Sequence, residues 1–207
     1  LIEHEMQRAT RVLDTVWNTE KTNFPNDPEA WRQRAADYIG RYVASDDYLH
    51  AHVRRYPLKE ASGATTDVPM LEFSFRVRTR SGIELVGRFD RVDTRQGRPV
   101  VIDYKTGPPR SMTALRHDHQ MLLYAAAIAD LTGARSVSTE IHWLSTGTKS
   151  TLTFSGSELR RAREEAAKYV RQVERHALFG TPAPQAHAPD PMPQTARFTT
   201  PIEVDLD

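Results

Sequence analysis

Two short runs hold the residues best suited to chemistry: Gly87-Arg88-Phe89-Asp90-Arg91-Val92-Asp93 and Val100-Val101-Ile102-Asp103-Tyr104-Lys105-Thr106-Gly107. Each sets an acid inside an apolar alternation. The second adds a lysine two residues past its acid. A carboxylate withdrawn from water is costly unless it is paired or coordinates a metal. Two such carboxylates and a lysine on adjacent strands suit a metal-dependent site, with phosphodiester hydrolysis as the leading chemistry.

Side chains alternate across a strand, so Asp103 and Lys105 share a face. A two-residue hairpin turn at Gln96-Gly97 makes paired residue numbers sum to 193 (96 + 97). Asp90 then lies opposite Asp103, Arg88 opposite Lys105, and Val92 opposite Val101. Facing residues have Cβ atoms about 4.5–5.5 Å apart, so the two acids repel and a cation belongs between them. Mg²⁺ and Mn²⁺ take carboxylate oxygens. Lys105 is placed to orient an attacking water or to neutralise charge that develops on a phosphate. The plain alternative is a solvated face with a cross-strand ion pair. The flanks Val100-Val101-Ile102 and Thr106-Gly107 favour a buried strand that ends at a tight turn.

The elements that must hold these residues follow from periodicity. Residues 1 to about 20 read as a helix, with Ile2, Met6, Ala9, Leu13, Val16 and Trp17 on one stripe. Asp27 caps a second helix that has Pro28 at its first turn and Trp31, Ala35, Tyr38, Ile39 and Tyr42 inside. Asp46 to Thr66 reads as irregular. Three strands follow as an antiparallel meander: Met70–Arg78, Ile83–Asp93 after Ser81-Gly82, and Arg98–Tyr104. Thr113 to Leu131 reads as one helix ended by Thr132-Gly133. Val137–Leu144 and Ser150–Phe154 are further strands, and Ser157 caps a long helix that ends near Phe179. Beyond Gly180 lie Pro182, Pro184, Pro189, Pro191 and Pro193, the mark of an extended, weakly structured tail. The expected divisions are a helical segment (1–66), an α/β core (67–180) and a tail (181–207).

Composition narrows the class. The chain has 207 residues, a hydrophobic fraction of 39%, a net charge of +1 and no cysteine. Thiolate nucleophiles, disulfides and thiolate-bound clusters are therefore excluded within these residues. The 28 basic residues include 23 arginines. Arginine suits phosphate, although a GC-rich genome gives the same bias. No apolar run reaches the roughly 20 residues of a membrane helix. No signal peptide is read, and a cytoplasmic location is expected. The start at Leu1, without an initiator methionine, reads as a piece of a longer chain.

Gln120 and Tyr124, spaced i,i+4, share one face of an apolar helix. With them the ordered set Gly-x-x-Asp-Arg-x-Asp, Val-Ile-Asp-Tyr-Lys-Thr-Gly and Gln-x-x-x-Tyr resembles the RecB-like branch of the PD-(D/E)XK nuclease superfamily over about residues 70–155. The resemblance implies a restriction-endonuclease-like α/β fold, with a central mixed sheet that contains the meander and is flanked by helices. It implies a DNA exonuclease using Mg²⁺ or Mn²⁺, attached to or partnering a helicase in recombination or repair. Asp90 and Asp103 would bind metal with the Tyr104 carbonyl, and Lys105 would be the catalytic lysine. Gln120 and Tyr124 would position DNA. His4 is either a further metal ligand or a surface residue. Arg110 and Arg116 could touch the DNA backbone. Many relatives carry an iron–sulfur cluster, for which this chain has no cysteines. The rival is a degenerate member that binds DNA or scaffolds a partner. Glu72 reads as structural or solvent-facing, with a role as an outer carboxylate the alternative. Arg88 and Arg91 read as ion-pair partners of Asp103 or Asp93, with phosphate contact the alternative.

Overall fold

Both periodicities recur in the computed structural model, which describes residues 2–23, 26–59, 62–79, 81–180, 202–204 and 206. Helices α1 (Ile2–Glu20), α2 (Pro28–Val43) and α3 (Asp46–Leu49) come first. Strands β1 (Arg55–Lys59), β2 (Thr65–Pro69), β3 (Leu71–Arg78), β4 (Glu84–Arg95) and β5 (Arg98–Lys105) follow. Then come α4 (Met112–Arg116), α5 (His119–Thr132), β6 (Ser136–Trp143), β7 (Thr148–Ser155), α6 (Gly156–Phe179) and β8 (Ile202–Val204). Six strands form one mixed sheet in the order β7-β6-β5-β4-β3-β8, and β1 pairs with β2 as a separate antiparallel ribbon. This is the α/β architecture that the resemblance implies.

The meander has the expected β4–β5 register. Val92 pairs with Val101 and Arg95 with Arg98. Gln96 and Gly97 both have positive φ, 51° and 75°, as a two-residue hairpin turn of matching twist requires. Phe73, Phe75 and Phe89 from β3 and β4 are buried with Ile102 and Ile128. Phe75 stacks on Phe89 with ring centres 4.6 Å apart.

That stacking explains the glycine of the first motif. A Cβ on Gly87 would stand 2.3 Å from the Phe75 ring. The ring is fully buried and has no free direction in which to give way. Gly87→Ala should therefore destabilise the chain by about 1–3 kcal/mol through overpacking, read as a lower urea midpoint at unchanged slope.

Four expectations need correction. The stretch read as irregular forms α3 and the β1–β2 ribbon. Pro57 marks β1 as a poor interior strand, yet a two-stranded ribbon tolerates it at an edge. The single helix read over Thr113–Leu131 is two. Asp118 accepts hydrogen bonds from the backbone of Gln120 and Met121 at 2.9 and 3.4 Å, and so starts α5 afresh. Helix α6 starts at Gly156, before the expected cap Ser157, and Ser155 occupies the N-cap without a side-chain bond. Residues 202–204, read as weakly structured tail, pair in parallel with β3. Their alternation carries on to Leu206, and Val204 and Leu206 are buried. The proline-rich stretch 181–201 lies outside the described residues.

The chain clusters into two compact units. The first comprises Leu1–Ala51, Tyr104–Pro109 and His142–Lys149; the second comprises His52–Asp103, Arg110–Ile141 and Ser150–Asp207. In the first, Arg32 pairs with Asp14 at 2.5 Å and the Tyr48 hydroxyl donates to Glu5 at 2.6 Å. In the second, α5 packs on α6, with Leu122, Ala126 and Ala129 buried. Among the described residues, no helix is long and apolar enough to cross a membrane.

Candidate active site

The acids of the two motifs enter the second unit from neighbouring strands. The β4–β5 ladder ends at Arg91 opposite Ile102, and both strands run on past it. Asp90 and Asp103 are the next residues on each, one rung beyond the paired register. Asp103 is 2% exposed, and Asp90 is half-buried.

Glu72 joins them. Its neighbours pair with β4, Leu71 opposite Arg91 and Phe73 opposite Phe89, so Glu72 counts opposite Asp90. It is missing from the ladder itself because its backbone is left-handed, with φ 49°. A side chain other than glycine adopts that region at a cost of about 1–2 kcal/mol, and such strain gathers at functional sites. The Glu72 carboxylate meets the Arg88 guanidinium at 2.9 Å. Partial burial holds its pKa above the usual carboxylate range; Arg88 opposes that rise and the Asp90 charge adds to it. Its side chain is 53% exposed, in keeping with the solvent-facing reading, and its place opposite Asp90 follows only once the β3–β4 register is known.

Tyr124 shows how concentrated the negative charge is. Its phenol is held well above the ordinary tyrosine range, first by burial, then by the carboxylates of Asp103 and Asp90. The hydrogen bond from Gln120 and the charge of Arg88 oppose this. The geometry gives the pair a job inside the protein. Gln120 Nε2 donates to the Tyr124 hydroxyl at 2.9 Å, and that hydroxyl donates to the Arg88 carbonyl at 2.6 Å. The chain of bonds ties α5 to β4 two residues before Asp90. Tyr124 is buried, with its ring edge-on to Phe89 at 5.3 Å. Tyr124→Phe should lower stability by about 1–2 kcal/mol, since a buried carbonyl loses its phenol donor. Chemical denaturation measures this, with circular dichroism confirming the fold.

Tyr104 and Lys105 end β5 and belong to the first unit. Strand alternation puts Lys105 on the face that Asp103 takes and Tyr104 on the other. Lys105 is half-buried. Its carbonyl accepts a hydrogen bond from the Leu144 backbone at 2.8 Å. The Tyr104 hydroxyl lies 2.6 Å from that of Tyr42. The strand end that carries the lysine is thus fixed by backbone and side chain.

The remaining candidates disperse. Arg91 donates to Asp93 at 2.6 Å, both buried, as one sequence alternative holds. Arg95 joins Asp93 at 3.6 Å to Glu140 at 3.0 Å. The second acid of the motif therefore belongs to a buried ionic network. Arg88, read as a partner of Asp103 or Asp93, meets Glu72. Arg110 pairs with Asp118 at 2.6 Å and so braces the start of α5. Arg116 is exposed and faces Glu158 at 3.6 Å. His119 stacks on Tyr169. His4 is exposed on α1, its Nδ1 3.6 Å from Glu5, in the first unit.

The donors present fit a hard divalent cation. Asp90 and Asp103 would supply carboxylate oxygens. Among the described residues, no three His, Cys, Asp or Glu side chains converge as a metal cage. Mg²⁺ needs no such cage, since it keeps several waters and is bound by one or two carboxylates. A family model described as the PD-(D/E)XK nuclease superfamily matches residues 2–195, the N-terminal helices as well as the sheet strands β3 to β7. No curated protein matches the chain.

Proposed function

The chain belongs to the PD-(D/E)XK nuclease superfamily, and from that premise we propose a DNA exonuclease of its RecB-like branch. It uses Mg²⁺ or Mn²⁺ and works in recombination or repair beside a helicase domain or subunit, in the cytoplasm. Membership makes metal-dependent phosphodiester hydrolysis the expected activity. The observation that carries the reading is the placement of Asp90 and Asp103 on neighbouring strands, each one residue past the last pair of the β4–β5 ladder, with Lys105 two residues on along the same strand.

In this proposal Asp90, Asp103 and the Tyr104 carbonyl hold the metal. When bound, the ion polarises the scissile phosphate and neutralises charge on it. Lys105 brings an ammonium to the face of Asp103, where it orients water and balances negative charge growing on phosphorus-bound oxygens. Tyr124 and Gln120 keep β4 fixed at Arg88, and so keep Asp90 in place.

The test incubates the chain with linear single- and double-stranded DNA in Mn²⁺ or Mg²⁺, beside a covalently closed circle. Shortening of linear strands that EDTA stops, with the circle intact, is the expected result. Cutting of the circle overturns the exonuclease assignment. No cleavage at all, with or without a helicase partner, overturns the enzyme. It would leave the degenerate DNA-binding or scaffolding module, which the exposed His4 favours.

A further inference from the structure

A cavity of about 330 Å³ lies wholly inside the first unit, and the chemistry assigned above does not use it. Helix α2 contributes Tyr38, Arg41 and Tyr42 to its wall. The end of β6 contributes His142 and Trp143, and the start of β7 contributes Lys149. Rings and cations therefore share one small space. Among the described residues no Asp or Glu lines it, although acids and bases are nearly balanced over the chain, 27 against 28.

The wall is preformed. The Tyr42 ring is edge-on to Tyr48, Tyr104 and His142, at 5.6, 5.1 and 6.2 Å, and its hydroxyl is bonded to that of Tyr104. The Arg41 guanidinium lies 5.3 Å from the Tyr38 ring centre and donates to the Leu144 carbonyl at 3.1 Å. A guanidinium has five N–H donors, so this anchoring leaves most of the fork for an anion. Little ordering remains to be done on binding.

The volume sits near the lower end of small-ligand pockets, about 300–1,000 Å³. It has room for a group the size of one nucleotide and none for a duplex. We propose that the cavity takes one unpaired nucleotide of a DNA strand, with its base against the tyrosines and its phosphate on Arg41 and Lys149. The choice of DNA rests on the nuclease reading. The choice of an unpaired nucleotide rests on the cavity: a base stacks on an aromatic side chain only when its face is free. The strand carrying Asp103 and Lys105 also carries Tyr104, the partner of Tyr42. The cavity wall and Tyr104 thus share a hydrogen bond.

The experiment uses the full chain in EDTA, so that cleavage cannot interfere. A fluorescein-labelled short oligothymidylate is titrated by anisotropy, with thymidine monophosphate and a blunt duplex as competitors. Tyr38→Leu removes a stacking face, and Lys149→Glu reverses an exposed charge; melting temperatures confirm that both variants fold. Each should weaken oligothymidylate binding by about 5- to 10-fold. The mononucleotide should compete, and the duplex should compete at least several-fold less well than unlabelled oligothymidylate. Three results overturn the proposal: no oligothymidylate binding by the unmodified chain, both variants within twofold of it, or a duplex that competes equally. The nuclease reading is scored separately by Mn²⁺-dependent cleavage. Cleavage without cavity-dependent binding sinks the cavity alone, and the converse sinks the nuclease alone.

Discussion

Asp103→Asn should lower metal-dependent DNA cleavage at least about 10³-fold while leaving the fold intact. The substitution keeps the volume and shape of a side chain that is 2% exposed, so it opens no cavity. What it removes is one of the two charges proposed to hold the ion. Loss of an ion worth several kcal/mol to the transition state corresponds to at least that factor in rate. Stability should move the other way. In EDTA, Asp103 and Asp90 are carboxylates on neighbouring strands, each one residue past the last pair of the β4–β5 ladder, with no ion between them. Neutralising one relieves their repulsion, so the metal-free variant should melt at or above the temperature of the unmodified chain. Added Mn²⁺ should raise the melting temperature of the unmodified chain only. An ion at a hundred times its dissociation constant adds about 2.7 kcal/mol. Differential scanning fluorimetry with and without EDTA reads both effects. A variant that still cleaves within tenfold, or is still stabilised by Mn²⁺, removes Asp103 from the site.

The sequence is legible where local chemistry decides the structure. Gln96-Gly97 demands positive φ at two successive residues, and that alone sets the β4–β5 register from Arg95–Arg98 to Arg91–Ile102, the last pair before Asp90 and Asp103. The β3–β4 connection is not legible in the same way. A two-residue turn at Ser81-Gly82 would make pairs sum to 163 and set Glu72 opposite Arg91. The chain instead closes with the Thr79 amide on the Ile83 carbonyl at 2.9 Å. The extra residue shifts the sum to 162 and sets Glu72 opposite Asp90. A one-residue slip reverses every facing relation, which is why the place of Glu72 opposite Asp90 was not legible. The break between α4 and α5 was missed for a related reason. Apolar spacing runs through both helices, and it does not show that the Asp118 side chain is spent on the Gln120 and Met121 amides. β8 was missed because it needs β3 as a partner far away in sequence, while the proline-rich stretch before it dominates the composition. Gln120 and Tyr124 were visible as a pair, but their target, the Arg88 carbonyl, exists only once α5 lies on the sheet.

Lys105→Met should reduce kcat by about 10²–10³-fold and leave metal binding almost unchanged. Methionine retains an unbranched apolar stem of similar length, which suits a half-buried position, and removes only the ammonium. The carbonyl that anchors the strand end to Leu144 is backbone, so the substitution does not touch it. If Lys105 balances charge in the transition state, its loss falls on kcat by the factor seen when one preorganised donor is removed. KM should stay within a few-fold. If Lys105 only offsets the charges of Asp90 and Asp103 in the resting protein, the outcome differs. The variant would then be less stable without metal and would bind Mn²⁺ more tightly, because the ion takes over the lysine's electrostatic role. The two accounts predict opposite patterns: a lower kcat at an unchanged Mn²⁺ midpoint, or an unchanged kcat at a lower midpoint. Steady-state cleavage measured across a Mn²⁺ titration separates them. The second pattern would remove Lys105 from the chemical step and leave it as a structural counter-ion.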